Sequence, residues 1–150
     1  MAQTTTETES DSAETDTDTD VDVASEGGRD APSFLGRLLF GSVLAYTAID
    51  SLRNIEGQVA YAESKGVPEA DRLVPFALGM LSFGSIGIVL WRVPTLAAGA
   101  VATFLAAITP TMHDFWNADE DQKANEQNHF VKNTAMLGAA LIFLERAREK

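Results

Sequence analysis

Apolar and polar positions are sorted into blocks along this chain. Leu73 to Trp91 is 19 residues without a charge and Val93 to Met112 is another 20, so Arg92 is the one charged side chain between Leu73 and Met112. A helix needs about 20 apolar residues to cross a hydrocarbon layer about 30 Å thick, and each run predicts a membrane-spanning helix, over 73–91 and 94–112. Their junction, Trp91-Arg92-Val93-Pro94, supplies an interfacial aromatic, a charge for the headgroups and a proline suited to a helix start. The two runs therefore read as a tight antiparallel hairpin. Two weaker blocks flank it. Phe34 to Leu52 is apolar except for Arg37 near its start and Asp50 near its end, and Phe130 to Leu144 is apolar after Lys132 and Asn133. Long or terminal side chains at such positions can reach the headgroups. The pattern predicts four spans, about 34–52, 73–91, 94–112 and 130–145, with two spans and two interfacial helices as the alternative.

Small residues recur four apart within these blocks: Gly41 and Ala45, Ala98 with Ala102 and Ala106, and Thr134 and Gly138. In lipid such spacing lets helix backbones approach and is a usual means of packing a bundle. Gly66-Val67-Pro68 is expected to break a short interfacial helix over 55–65, and Pro110 is placed to kink the third span.

Composition changes the picture at one end. Residues 1–30 hold 10 of the 22 acids and a single base, so they carry −9 of the net charge of −11. They are rich in Thr, Asp, Glu and Ser and contain no aromatic residue. Such a segment cannot bury enough apolar surface to offset its ordering entropy, which predicts a disordered tail over 1–32, or alternatively an acidic arm that recruits a basic partner. It lacks the basic start, apolar stretch and cleavage site of an export signal, so the tail is expected to be retained. The predicted fold class is all-α: an integral membrane four-helix bundle over 33–150 carrying a disordered acidic N-terminal tail. The acidity argues against nucleic acid as a partner. The absence of cysteine excludes disulfides, zinc-thiolate sites, c-type haem attachment and a thiol nucleophile.

With four spans the termini and the Arg92 turn share one side, while the 54–72 and 113–129 loops share the other. Bases near the membrane number six on the first side and five on the second, which leans towards cytoplasmic termini. On the opposite, outer face the topology gathers Asp50 and Arg53 at the end of the first span, Arg72 at the start of the second, His113 and Asp114 at the end of the third with Trp116 just beyond, and Lys132 and Asn133 at the start of the fourth. Ionisable groups at membrane depth are costly unless they pair or line a wet cavity, and this makes the cluster the candidate site. Interfacial anchoring with local ion pairs such as Asp50 with Lys132 is the structural alternative. His113 and His129 could hold a metal or haem, but no HxxxH or HExxH spacing supports it, and His113 suits a proton relay or a quinone hydrogen bond equally well.

These residues resemble the DoxX-like family of small four-span membrane proteins over about residues 34–145. The likeness is carried by Arg37-Leu38, by the Tyr61-Ala62-Glu63-Ser64-Lys65-Gly66-Val67-Pro68 stretch, by Leu78-Gly79 and Gly84, by Thr109-Pro110-Thr111-Met112-His113-Asp114-Phe115-Trp116, and by Phe130-Val131-Lys132-Asn133 with Leu137-Gly138. Many relatives carry a glutamate shortly after the glycine matching Gly79, where this chain has Ser82. The resemblance implies membrane residence and a redox association, since relatives include the large subunit of a thiosulfate to quinone oxidoreductase and membrane partners of oxidative-stress enzymes. The expected function is a membrane redox subunit, joined to a redox protein partner, whose outer-face cluster binds a quinone or small anion. His113 and Asn133 would be hydrogen-bond partners and Lys132 or Arg53 the counter-charge. The alternatives are a non-enzymatic scaffold holding a partner at the membrane and a small-solute pathway, for which Ser82, Ser85, Thr103 and Thr109 in the second and third spans are thin support.

Overall fold

A computed structural model describes residues 31–149. Apart from Ala31 and Pro32, the acidic arm expected over 1–32 lies outside the described residues. Five helices follow: α1 (Phe34–Arg53), α2 (Ile55–Ser64), α3 (Ala70–Leu90), α4 (Pro94–Met112) and α5 (Glu120–Arg148).

Local chemistry sets the helix ends. α2 stops in a two-bond C-terminal turn: the Gly66 N–H donates to Glu63 O, the Val67 N–H donates to Ala62 O, and Gly66 takes the left-handed φ of 77° that the turn requires. Val67 then packs on Ala62, and Pro68 prevents the helix from resuming. The α3–α4 link is only Trp91 to Val93, with Trp91 and Val93 both left-handed and Pro94 as the first residue of α4. α3 starts three residues before the apolar run, because Ala70-Asp71-Arg72 supply a polar first turn with Asp71 at the positive end of the helix dipole. α5 starts ten residues before the apolar block expected at Phe130. Residues 120–129 are polar and helix-compatible, with Glu120 and Asp121 in the first turn and Arg146 and Arg148 in the last. Apolar periodicity cannot reveal a helix that needs no burial.

α3 packs against α1, α4 and the short α2, and α5 packs against α4. α1 and α5 meet through Phe40 and Phe143, whose ring centroids lie 5.2 Å apart. Leu44, Leu81, Ile88, Val101 and Leu105 fill the centre. Two close approaches depend on glycine. A Cβ on Gly84 would stand 2.8 Å from Ala97 O and 3.2 Å from Val101 N, and one on Gly41 would stand 2.8 Å from Ser85 O. Gly41, Ala98 and Ala102 thus lie on packing seams as expected, whereas Thr134 and Gly138 point outwards and a Cβ on Gly138 would meet open space.

α4 and α5 run antiparallel in a fixed register. The Thr95 hydroxyl donates to Ala147 O at 3.2 Å at one end, and the His113 and His129 rings stack at 5.0 Å at the other. Residues 129–147 of α5 therefore lie beside the whole of α4. Residues 120–128 project past it by about 13 Å.

At the α3–α4 turn, Arg37 departs from the expectation that it reaches outwards to headgroups. It is 8% exposed and folds inwards, its Nε donating to Pro32 O at 3.1 Å and its Nη1 to Val89 O at 2.9 Å. Val89 O is one of the carbonyls that the end of α3 leaves without a helical partner, so the guanidinium caps α3 at the negative end of its dipole. It lies 5.7 Å from the Phe34 ring and 5.6 Å from the Trp91 ring.

Three helices, α1, α3 and α4, are long and apolar enough to cross a membrane by length and composition. Within their most apolar stretches only 22%, 39% and 39% of the residues are buried inside the chain. Outward-facing side chains include Phe76 (70% exposed), Leu96 (67%) and Ile142 (67%). A soluble bundle would hide such a surface, and lipid is the medium that leaves it unpenalised.

Candidate functional site

The two ends of the bundle are built differently. At the α3–α4 turn, Arg37, Trp91, Phe40 and Phe143 close the space between α1 and α5, with Trp91 and Phe143 6.2 Å apart in an edge-on contact. At the other end, α1 turns aside at Asn54 into α2, and a cavity of about 630 Å³ opens among all five helices. Leu44, Leu81, Phe104, Leu105 and Met136 give it apolar walls, while Gln58, Tyr61, His113, His129, Lys132 and Asn133 make its polar end. This size and this mixture of apolar wall with a few polar groups are those of small-molecule sites.

A connected network roofs the polar end. The Glu126 carboxylate, on the first turns of α5, faces the His113 Nδ1 at 2.8 Å through Oε2 and accepts from the Tyr61 hydroxyl at 3.4 Å through Oε1. The single Tyr61 proton is shared with Met112 O, the shorter contact at 3.0 Å, one of the carbonyls that the end of α4 leaves unpaired. Beside it Lys65 donates to Asp114 at 2.6 Å, and Asn117 donates to the other carboxylate oxygen at 3.1 Å. α2 is thereby tied to the α4–α5 loop at two points. The Lys65 bond holds the Asp114 carboxyl below the ordinary carboxylate value, and the same bond raises Lys65. Burial, followed by the Glu126 charge, pushes the Tyr61 hydroxyl up, so it stays a donor. His129, just before the apolar part of α5, is pushed down by burial and then by Lys132 and His113, which favours its neutral form. Phe115, Trp116 and Phe130 form a knot of edge-on rings 5.2–5.9 Å apart beneath the loop.

Of the residues singled out in the sequence, His113, Lys132 and Asn133 converge on the cavity together with His129. Asp114 is adjacent through Lys65, and Trp116 belongs to the aromatic knot. Asp50 and Arg53 do not join them: both are exposed on the last turn of α1 and neither lines the cavity. The alternative Asp50–Lys132 ion pair does not form; Lys132 is exposed and lines the cavity, and Asp50 does not. Arg72 pairs with its neighbour Glu69 at 3.2 Å on the surface. The two imidazoles stack face to face within 15°, with Nδ1 of His113 committed to Glu126, and among the described residues no three His, Cys, Asp or Glu side chains are arranged to hold a metal. Tyr61, Lys65 and Glu126 belong to this network without having been among the cluster residues expected from the sequence. The one signal for the first two was their i,i+4 spacing on the short helix, which puts both on one face.

A sequence model of the DoxX family matches residues 33–114, from the start of α1 through the end of α4. α5, and with it His129, Lys132 and Asn133, lies beyond the matched segment. No curated protein and no solved structure matches the chain.

Proposed function

The chain belongs to the DoxX family of membrane proteins, and from that premise we propose that it is the membrane subunit of a redox complex, binding a lipid-soluble carrier of the quinone class. The observation that carries this reading is the cavity of about 630 Å³, apolar along its length and polar at one end, set among helices whose outer faces suit lipid. A quinone ring has carbonyl acceptors that need donors and a body that needs an apolar wall. With Nδ1 facing Glu126, His113 presents Nε2 as an acceptor for a quinol hydroxyl when neutral and as a donor to a quinone carbonyl when protonated, and Asn133 offers its amide N–H groups as donors. The Glu126–His113 pair would exchange a proton with bound quinol, and Tyr61 would hold Glu126 in place. Electrons would pass to or from a soluble redox protein. In this reading α5 is the fourth span, supported by its register along the full length of α4, and both termini face the cytoplasm.

Purified protein in detergent should quench or shift on titration with a short-chain ubiquinone analogue, and lipid extracts of it should contain quinone. His113→Ala should weaken that binding roughly tenfold, the loss expected for one hydrogen bond in a charge-assisted pair. No binding by the wild type, or unchanged binding by the variant, would remove the proposal.

A further inference from the structure

We infer that the cavity selects a lipid-soluble anion: an amphiphile whose negatively charged oxygen head is held by Lys132 and Asn133 of α5 while its apolar chain lies along the α1, α3 and α4 walls. The inference goes beyond the functional reading above, giving the same cavity a second class of ligand, and rests on the cavity being the ligand site.

The hydrogen-bond inventory separates two sets of polar groups at this end of the bundle. The roof is internally satisfied: Glu126 with His113 and Tyr61, Asp114 with Lys65 and Asn117. The stripe on α5 is not. His129, Lys132, Asn133 and Met136 follow the i, i+3, i+4, i+7 spacing that places them on one helix face, and all four line the cavity. Among the described residues Lys132 has no carboxylate within ion-pair distance, and no side-chain hydrogen bond is made by the Asn133 amide or the His129 ring. Asn133 is only 8% exposed, yet its amide atoms are not sealed off, so the space they reach is the cavity. The amide can therefore take its partner from whatever fills that space, water or a ligand head.

Charge decides the kind of occupant. Lys132 is the only Lys, Arg, Asp or Glu side chain among the cavity-lining residues, since Asp50 and Arg53 face away and both nearby carboxylates are committed to the roof. The lining therefore presents one uncompensated positive charge beside a neutral amide and a largely neutral imidazole. An acceptor-only anionic oxygen satisfies all three donors, and a short charge-assisted bond to the ammonium is roughly twice as strong as its neutral counterpart. The rest of the lining is mostly apolar, with Thr47, Ser51, Thr103 and Thr111 as scattered hydroxyls, and it includes Leu73 and Phe76, which are exposed on the outer face of α3. The head is thus of the carboxylate class, and the body a hydrocarbon chain entering from the bilayer.

The test uses the full chain in phosphatidylcholine vesicles, which carry no net charge, with a spin-labelled stearate and its methyl ester as a matched anionic and neutral pair. At a pH where the acid is ionised, the acid should be immobilised by the protein about tenfold more than the ester. Lys132→Met should abolish this preference, Asn133→Leu should reduce it, and Lys132→Arg should keep it. Lys123→Met, which removes an exposed charge on the projecting turns of α5, should leave it unchanged. Equal immobilisation of acid and ester, or a preference that survives Lys132→Met in a helical, monodisperse variant, refutes the anion inference alone if a quinone analogue still binds. Failure of acid, ester and quinone analogue together refutes the cavity as a ligand site.

Discussion

Two glycines on α3, five residues apart, should respond with opposite sign to the same methyl group. At Gly84 an added Cβ would meet Ala97 O at 2.8 Å and Val101 N at 3.2 Å. These are backbone atoms, so neither can rotate away, and α3 and α4 would have to separate. Overpacking of this kind costs about 1–3 kcal/mol, while alanine is a better helix residue than glycine by about 0.5–1 kcal/mol. Gly84→Ala should therefore lose a net amount on the order of 1–2 kcal/mol. At Gly79 an added Cβ meets nothing within 4 Å, leaving only the gain of about 0.5–1 kcal/mol. Unfolding of the two variants in mixed micelles with rising SDS, followed by circular dichroism, should show midpoints on either side of the wild type. Equal shifts of one sign would mean that α3 and α4 are not in backbone contact at Gly84, and the packing described above would be wrong there.

The Lys65–Asp114 bond should give stability a double pH dependence. The lowered Asp114 makes its share complete above the ordinary carboxylate value of 3.8 and lost as pH falls through the depressed folded value; the raised Lys65 makes its share complete below 10.5 and lost as pH rises through the elevated one. Asp114→Asn should lower the unfolding midpoint at pH 7 and flatten both flanks, and parallel profiles for the two proteins would exclude the bond as their source. His129 acts in the other direction: its folded value lies below 6.5, so the unfolded chain binds the proton first and stability falls as pH drops through 6.5. His129→Gln should remove that part of the acid loss, and an unchanged slope between pH 7 and 5 would count against a neutral, partly buried ring.

The central hairpin was legible because nothing competes with its signal. Two uninterrupted apolar runs separated by Arg92 leave little freedom in where α3 ends and α4 begins, and Leu90 and Pro94 fall where the pattern puts them. α5 was half legible: its apolar part is found where expected, but its polar first turns carry no burial signal. The site was partly legible for a related reason. The order of the apolar runs alone brings His113, Lys132 and Asn133 to one depth, since His113 follows the third run and Lys132 and Asn133 open the last. Which of the groups at that depth face inwards depends on the rotation of each helix about its axis. Asp50, Arg53 and Lys132 share the depth and are all exposed, yet only Lys132 lies along the cavity. The Lys65–Asp114 and Tyr61–Glu126 bonds link residues 49 and 65 positions apart, and only the path of α2 across the end of the bundle decides those pairings. Arg37 shows the same limit: an arginine near a helix start reads as an outward anchor, and only the nearness of the α3 terminus turns it into a cap.

The helices pack largely in chain order, with α1 on α3, α3 on α4 and α4 on α5. The cavity therefore has no donor stripe until the last helix arrives, for α5 alone supplies His129, Lys132 and Asn133. A chain emerging from the ribosome would carry three inserted helices and a roof without its glutamate, and would bind nothing. Ligand occupancy then becomes a mark of finished biogenesis: any ligand that holds the seam between the first helix and the last can do so only in a molecule whose insertion is complete.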